Sequence, residues 1–324
     1  MERLVLIDGH SLLYRAYHAL PKTFHDREGN PTNAVYGFMT MLRKASSDLS
    51  PSYLAVAFDE RGPTLRHTKL ATYKEGRPEP EEDFIAQNPI IREVLAGFNI
   101  PVFSIPGYEG EDIIATIVAK IRSSKSGIRD LETYIVSGDR DVLQLIDEQT
   151  KVYTPGKSFS QTVIYSLDNV ENVFGVKPSQ IPEFKGLRGD PGDRIPGVFG
   201  IGEKTAASLI NKFGTVENLY RNLGKVRGEF GESVEKKLSE GAEAAVLSRD
   251  LAHIHNDAPL EFKVSELEFN GFNDVKGLNV LKNLGFKSLL KRFGHEEFLE
   301  KPKTAGRNRV KKKTENSEGQ VALL

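Results

Sequence analysis

Residues 4–20 read Leu4-Val5-Leu6-Ile7-Asp8-Gly9-His10-Ser11-Leu12-Leu13-Tyr14-Arg15-Ala16-Tyr17-His18-Ala19-Leu20. The apolar run Leu4 to Ile7 is the size of a buried strand, and it ends on a carboxylate, Asp8. A helical pattern follows through Leu12, Leu13, Tyr17 and Leu20. The same alternation continues outward from this unit. Ala34 to Leu49 has helical spacing, and Tyr53 to Phe58 is an apolar strand ending at Asp59. Phe84 to Phe98 is helical, Pro101 to Phe103 is a short strand, and Glu109 to Ile121 is an amphipathic helix with Ile113, Ile114, Ile117 and Ile121 on its apolar face. Thr133 to Val136 is a further strand leading to Asp139 and Asp141. Strand and helix in turn predict an α/β fold with a doubly wound, mainly parallel sheet over residues 1–174. Lys151 to Tyr153 and Thr162 to Tyr165 flank a Gly-Lys-Ser turn and predict a hairpin. Residues 175–297 are helical in pattern throughout, and 298–324 turn polar and basic, as a disordered tail or linker would.

The 324 residues are 39% hydrophobic and 27% charged, ordinary for a globular protein of about two domains. There is no cysteine, which excludes disulfides, thiolate metal sites and cysteine nucleophiles. Any metal has to be held by oxygen or imidazole. No stretch reaches the ~20 apolar residues of a membrane helix, and the N-terminal apolar run is too short for a signal peptide. These features predict a cytoplasmic protein with no membrane partner. The net charge of −1 hides segregation: Lys301 to Lys313 holds seven Lys/Arg and no acidic residue.

Strand C-termini in open α/β sheets face the crevice where ligands bind. Here Asp8, Asp59, Glu109, Glu111, Asp112, Asp139 and Asp141 all stand at or just beyond predicted strand ends. Each alone reads equally well as a helix N-cap or a favourable charge at a helix N-terminus. Together at one crevice they would repel one another, and hard divalent cations relieve that repulsion. Oxygen-only ligation suits Mg²⁺ or Mn²⁺. Two such ions ~3.5–4 Å apart serve phosphodiester hydrolysis by activating water and stabilising the leaving oxygen.

Between Asp59 and Phe84 lies a segment with Arg61, Arg66, His67, Lys69, Lys74 and Arg77 interleaved with Tyr73. Its apolar periodicity is poor. It reads either as a basic surface arch, placed at about residues 60–100, or as a solvated loop. The stretch from Gly186 to Ala206 carries Gly197, Gly200 and Gly202 in a tight connection that opens into a helix at Glu203, Lys204 and Thr205. Glycines allow close approach of backbone N–H groups to a phosphate, and a helix N-terminus supplies positive potential. This predicts a helix–hairpin–helix clamp on a DNA backbone, against the alternative of an ordinary glycine-capped turn. Asp190 and Asp193, just before the hairpin, are within reach of the same crevice.

Seven runs occur in a fixed order: Leu6-Ile-Asp-Gly-His-Ser-Leu12, Val35-Tyr-Gly-Phe38, Ala57-Phe-Asp59, Tyr73-Lys-Glu-Gly-Arg77, Gly107-Tyr-Glu-Gly-Glu-Asp112, Gly138-Asp-Arg-Asp-Val-Leu-Gln-Leu145 and Ile195-Pro-Gly-Val-Phe-Gly-Ile-Gly-Glu-Lys-Thr-Ala206. Together they resemble the 5′–3′ exonuclease (flap endonuclease) domain of bacterial DNA polymerase I and its stand-alone relatives, over roughly residues 3–295. The resemblance implies a PIN-like sheet with a helical arch and a helix–hairpin–helix region. It implies hydrolysis of DNA at 5′ ends and 5′ flaps in replication and repair. It implies one metal-binding group of Asp8, Asp59, Glu109 and Glu111, and a second of Asp112, Asp139, Asp141, Asp190 and Asp193. Lys74 and Arg77 would contact the scissile phosphate, Arg15 would be a further phosphate contact, and Tyr73 and Tyr36 would offer stacking surfaces. Gly197, Gly200, Gly202, Lys204 and Thr205 would hold duplex DNA, with K⁺ as an added cation there. The expected partners are double-stranded and 5′-flap DNA and a DNA polymerase in cis or in trans, for a monomeric, nucleoid-associated enzyme. Two departures stand out. Glu111 replaces the Asp common in the family, and Gly189-Asp-Pro-Gly-Asp-Arg194 replaces Gly-Asp-Ser-Ser-Asp-Asn, keeping both aspartates but changing the turn. The rival readings are a DNA-binding scaffold without catalysis and an RNA-cutting PIN-domain nuclease.

Overall fold

The fold is that of a computed structural model, which describes residues 2–123, 131–156 and 162–299. Most of the expected hairpin turn and nearly all of the basic tail lie outside the described residues.

Six strands form one sheet: β1 Arg3–Asp8, β2 Tyr53–Ala57, β3 Val102–Phe103, β4 Glu132–Val136, β5 Thr150–Pro155 and β6 Thr162–Tyr165. Their order is β3-β2-β1-β4-β5-β6. The first five run parallel, and β6 turns back antiparallel on β5. This is the doubly wound sheet that the alternation predicts. β1 sits in the middle because it can be buried on both sides. Leu4 and Leu6 face one core with Ile113, Ile117 and Ile135, while Val5 and Ile7 face the other with Leu12, Phe38 and Val94. Burial of both faces is why the run reads as continuously apolar rather than alternating.

The strand order reverses between β1 and β4, so the chain leaves a crevice at their C-terminal ends, where ligands of such sheets bind. Register fixes what stands there: Asp8 is opposite Ala57, and Ile7 is opposite Val136. Asp8, Asp59 and Asp139 are therefore carried to one edge by three adjacent strands.

Two expectations need correction. The arch of about 60–100 is shorter, because the helix Gln87–Gly97 buries Ile91, Val94 and Leu95 in the core. What remains, the short helix Leu65–Lys69 and the turns after it, is packed on the body: Arg66 bonds the Leu251 and His253 carbonyls, and Tyr73 is buried against Ile195 and Leu251. The region 175–297 is helical, as the pattern predicts, but does not pack as one unit. The helices from Ile181–Arg188 through Glu203–Phe213 and Val216–Arg221 share the Ile113 face of the sheet, whereas Val275–Asn283 and Lys287–Arg292 pack on the opposite face through Leu278, Leu281, Leu289 and Leu290.

Candidate metal centre and nucleic-acid interface

At the end of β1, Asp8 is 8% exposed. It caps the helix Gly9–Ala19 by accepting from the Ser11 N–H at 3.0 Å, and it accepts from Ser137 Oγ at 2.7 Å. Burial pushes its carboxyl up to about 7; the bonds from Ser137 and Ser11 oppose this, and the nearby charges of Asp59 and Asp139 add to it. Asp59, just past β2, accepts from the Gly110 N–H at 2.6 Å. A side chain at residue 110 would crowd that contact, since a Cβ there would lie 3.0 Å from Asp59 Oδ1. Gly138 and Asp139 follow β4. Asp139 is fixed by accepting from the Asp141 N–H at 2.9 Å and donating its own N–H to Ser137 Oγ at 2.9 Å.

The helix Gly110–Ser123 delivers Glu111, and Glu109 precedes it. Glu109 accepts from Lys74 Nζ at 2.7 Å. Glu111 meets Arg66 Nη2 at 3.1 Å. Its carboxyl is held well above the usual range by burial, against the pull of Arg66 and with the repulsion of Glu109, Asp141 and Asp139. Glu109 and Glu111 line a cleft of about 760 Å³ together with Asp8, Asp59 and Asp139, and Arg15, Lys74, Arg77 and Tyr14 line it as well. A second hollow of about 420 Å³ shares Gly138 and Asp139 with the cleft and continues to Asp141, Lys185, Arg188 and Asp190. Asp139 thus stands between the two predicted groups. Burial pushes Asp141 up to about 6 despite Lys185. Asp190 is lowered: its burial is outweighed by Lys185.

Among the described residues, no three carboxylates stand close enough to clasp one ion directly. The donor set is all oxygen, which fits Mg²⁺, an ion that retains several waters and so needs few direct protein ligands. The crowding of weakly compensated carboxylates is also the condition a divalent cation relieves.

Four expected roles change. Asp112 leaves the ligand set: it is 1% exposed, and both its oxygens are held by Arg66, at 2.8 and 3.0 Å. Asp193 lies apart from the Lys185 hollow and faces Tyr73, whose hydroxyl donates to it at 3.2 Å, and Arg77. Tyr73 is 3% exposed, so its ring is not open to a base. Tyr36 packs on Phe24 and Phe286 and bonds Ser288 at 2.7 Å, in a hollow lined by none of the carboxylates. Lys74 and Arg77 do reach the cleft, with Lys74 held at φ 54°. Arg15 lines it too and donates to the Gly156 carbonyl.

Sequence reading missed Tyr14, half exposed beside the carboxylates. His10, Tyr14 and His18 fall four residues apart on one helix face and touch in sequence, a stripe that was visible in the spacing. It also missed Lys185, and it placed Arg66 on a surface arch although Arg66 is 1% exposed.

The hairpin has the shape that its glycines require. Gly197 and Gly200 have φ 63° and 77°, and a Cβ on Gly197 would lie 2.3 Å from the Gly189 nitrogen. Gly202 begins the helix Glu203–Phe213 without a side-chain cap, and Lys204 in its first turn is exposed. Phe199, at the tip, is 95% exposed.

Residues 3–175 match the N-terminal resolvase-like domain of 5′–3′ exonucleases, and residues 176–275 match their C-terminal SAM fold. The chain belongs to the 5′–3′ exonuclease family. Among its relatives, DNA polymerase I of Caldicellulosiruptor bescii is 38% identical over 300 residues, which are 92% of this chain and 34% of that protein. DNA polymerase I of Bacillus subtilis is 40% identical over 296 residues, 91% of this chain and 32% of that protein. The chain therefore spans about a third of the length of these curated relatives. The T5 D15 protein, crystallised with metal ions, shares the fold at a TM-score of 0.63 and 20% identity, over 92% of this chain and 99% of that one. The catalytic core of Rad2 in complex with a DNA substrate shares it at 0.54 and 17%, over 90% and 93%. No helix among the described residues is long and apolar enough to cross a membrane.

Proposed function

We propose that this exonuclease-family chain is a metal-dependent, structure-specific nuclease that hydrolyses DNA phosphodiester bonds at 5′ ends and 5′ flaps. The observation that carries this reading is one cleft lined both by Asp8, Asp59, Glu109, Glu111 and Asp139 and by Arg15, Lys74 and Arg77. Acidic and basic side chains in one cleft suit a phosphate that must be drawn in and then held against a cation. Asp8, Asp59, Glu109, Glu111 and Asp139 would hold a first Mg²⁺ (or Mn²⁺), and Asp139, Asp141 and Asp190 a second. When bound, two such ions supply an activated water and stabilise the departing oxygen.

The chain's own residues do the rest. Arg15 and Arg77 attract the 5′ strand, a contribution that salt weakens. Lys74 stands where charge grows on the phosphate oxygens, and a fixed cation there stabilises the transition state. Tyr14 offers a ring for an unpaired base, a role that neither Tyr73 nor Tyr36 is placed to fill. The hairpin at Gly197–Gly202, with Lys204, Thr205 and a bound K⁺, holds the duplex by its backbone without reading sequence. The relatives' names fit replication and repair beside a DNA polymerase, in cis or in trans.

A 5′-flap DNA incubated with and without Mg²⁺, with product ends mapped, tests this. Short products with 5′-phosphates, formed only with the metal, are expected. Intact flap DNA, or preferential cutting of an RNA strand of the same sequence, would overturn it.

A further inference from the structure

The helix Ile181–Arg188 buries a lysine among apolar neighbours. Lys185 is 2% exposed, between Phe184 and Leu187, which are both fully covered. An ammonium taken out of water needs close partners to offset its desolvation. Lys185 has two: its Nζ donates to Asp141 Oδ1 and, at 2.7 Å, to Asp190 Oδ2. The two aspartates come from different elements. Asp141 opens the turn after β4, and Asp190 follows the lysine's own helix. Both line the hollow that continues from the main cleft past Asp139. The ammonium lies between the two oxygens, where a cation shared by them would have to lie.

The main cleft is different. Among the described residues, Asp8, Asp59 and Asp139 have no ion pair with a lysine or arginine; their partners are backbone N–H groups and Ser137. A cation entering there meets three carboxylates without a lysine or arginine partner, beside Glu109 and Glu111, which Lys74 and Arg66 already meet. One entering the second hollow gains less, because Lys185 has already met that charge.

We propose that Lys185 is a built-in counter-ion for Asp141 and Asp190, and that a divalent cation reaches this pair only by displacing its ammonium. This rests on the metal-dependent reading above and deepens it: the two cation positions differ in affinity because one is guarded by a lysine. In the DNA-free protein, the first ion binds tightly and the second weakly.

The test is a Mn²⁺ titration of the full chain without DNA, following free ion by electron paramagnetic resonance. The comparison is between the wild type and Lys185→Met, which keeps an unbranched buried chain and removes the charge. The wild type should show two classes of site, the second weaker by about ten-fold or more, equivalent to about 1.4 kcal/mol. In Lys185→Met the second class should tighten by about that factor and the first should stay put. Superimposable isotherms would overturn the proposal. If Lys185→Met fails to fold, Lys185→Gln serves, and two equal classes in the wild type would overturn it without any variant. A wild type that binds no Mn²⁺ would instead remove the metal-dependent reading and this proposal with it.

Discussion

Arg66 meets Asp112 head-on inside the protein, its Nη1 donating to Oδ2 at 2.8 Å and its Nη2 to Oδ1 at 3.0 Å. The same guanidinium also donates to Glu111 at 3.1 Å, to the Leu251 carbonyl at 3.0 Å and to the His253 carbonyl at 3.1 Å. One cation thus ties the helix Leu65–Lys69 to the helix Gly110–Ser123 and to the end of Ala242–Ala252. Asp112 has a further duty, accepting from the Glu109 and His255 N–H groups at 3.0 and 2.8 Å. Asp112 positions its neighbours rather than offering oxygens to an ion.

Replacing Arg66 with Met should therefore destabilise the fold strongly. It leaves Asp112 and Glu111 buried without their cation, a loss of about 3–5 kcal/mol. Arg66→Lys should recover only part of this, because an ammonium cannot reproduce the two-pronged geometry. Urea denaturation of the three proteins measures it. Equal stability of Arg66→Met and wild type would show that the cluster is not needed for the fold.

Lys74 tests the basic side of the cleft. It sits in the left-handed region, which Asn tolerates better than most residues. Lys74→Asn thus removes the charge at little backbone cost. Single-turnover cleavage of flap DNA should fall by about 10²–10³-fold, while flap affinity changes far less. An equal loss in both would mean that Lys74 serves binding rather than the chemical step.

The hairpin glycines separate folding from DNA contact. Gly197→Ala should destabilise the protein, since its Cβ would lie 2.3 Å from the Gly189 nitrogen and its φ is 63°. Gly202 has ordinary φ −88° and open space around a built Cβ. Gly202→Ala should leave the melting temperature unchanged and weaken duplex binding, because a methyl group keeps a phosphate from the backbone. Unchanged binding in Gly202→Ala would remove Gly202 from the interface.

The sheet and most of the cleft were legible in the sequence because both follow from position along the chain. A strand run ending on a carboxylate places that carboxylate at the sheet's edge, which holds for Asp8, Asp59 and Asp139. Glu109 and Glu111 follow from the start of an amphipathic helix. Arg66, Asp112 and Lys185 were not legible in the same way. Their roles depend on contacts spanning up to 187 residues, such as that of Arg66 with His253, and one-dimensional spacing cannot show which charge is buried. Tyr73 misled for the same reason: an aromatic among basic residues suggests stacking on bases, yet its hydroxyl points inward to Glu109 and Asp193. Tyr14 shows the reverse case: its place on the His10–Tyr14–His18 stripe is visible in the helical spacing alone.

Asp8 gives a pH dependence with a definite sign. Its folded value of about 7 exceeds the unfolded value of about 3.9. Between those values the folded protein binds more protons, so this group makes metal-free stability fall as pH rises from about 4 to about 7. Asp141, pushed up to about 6, acts in the same direction. Denaturation in EDTA at pH 5 and pH 7 should show Asp8→Asn gaining on the wild type at the higher pH. Saturating Mg²⁺ should cancel that gain, because an ion favours the ionised carboxylate. A constant difference between the two proteins would contradict the assignment.

The proposed activity needs a divalent cation held by side chains from separate strands at the sheet's edge. Crystals soaked in Mn²⁺ and measured at the manganese absorption edge locate it directly. An anomalous peak in the cleft among Asp8, Asp59, Glu111 and Asp139 is the predicted result. Ordered Mn²⁺ found only elsewhere on the molecule, with that cleft empty, would contradict it.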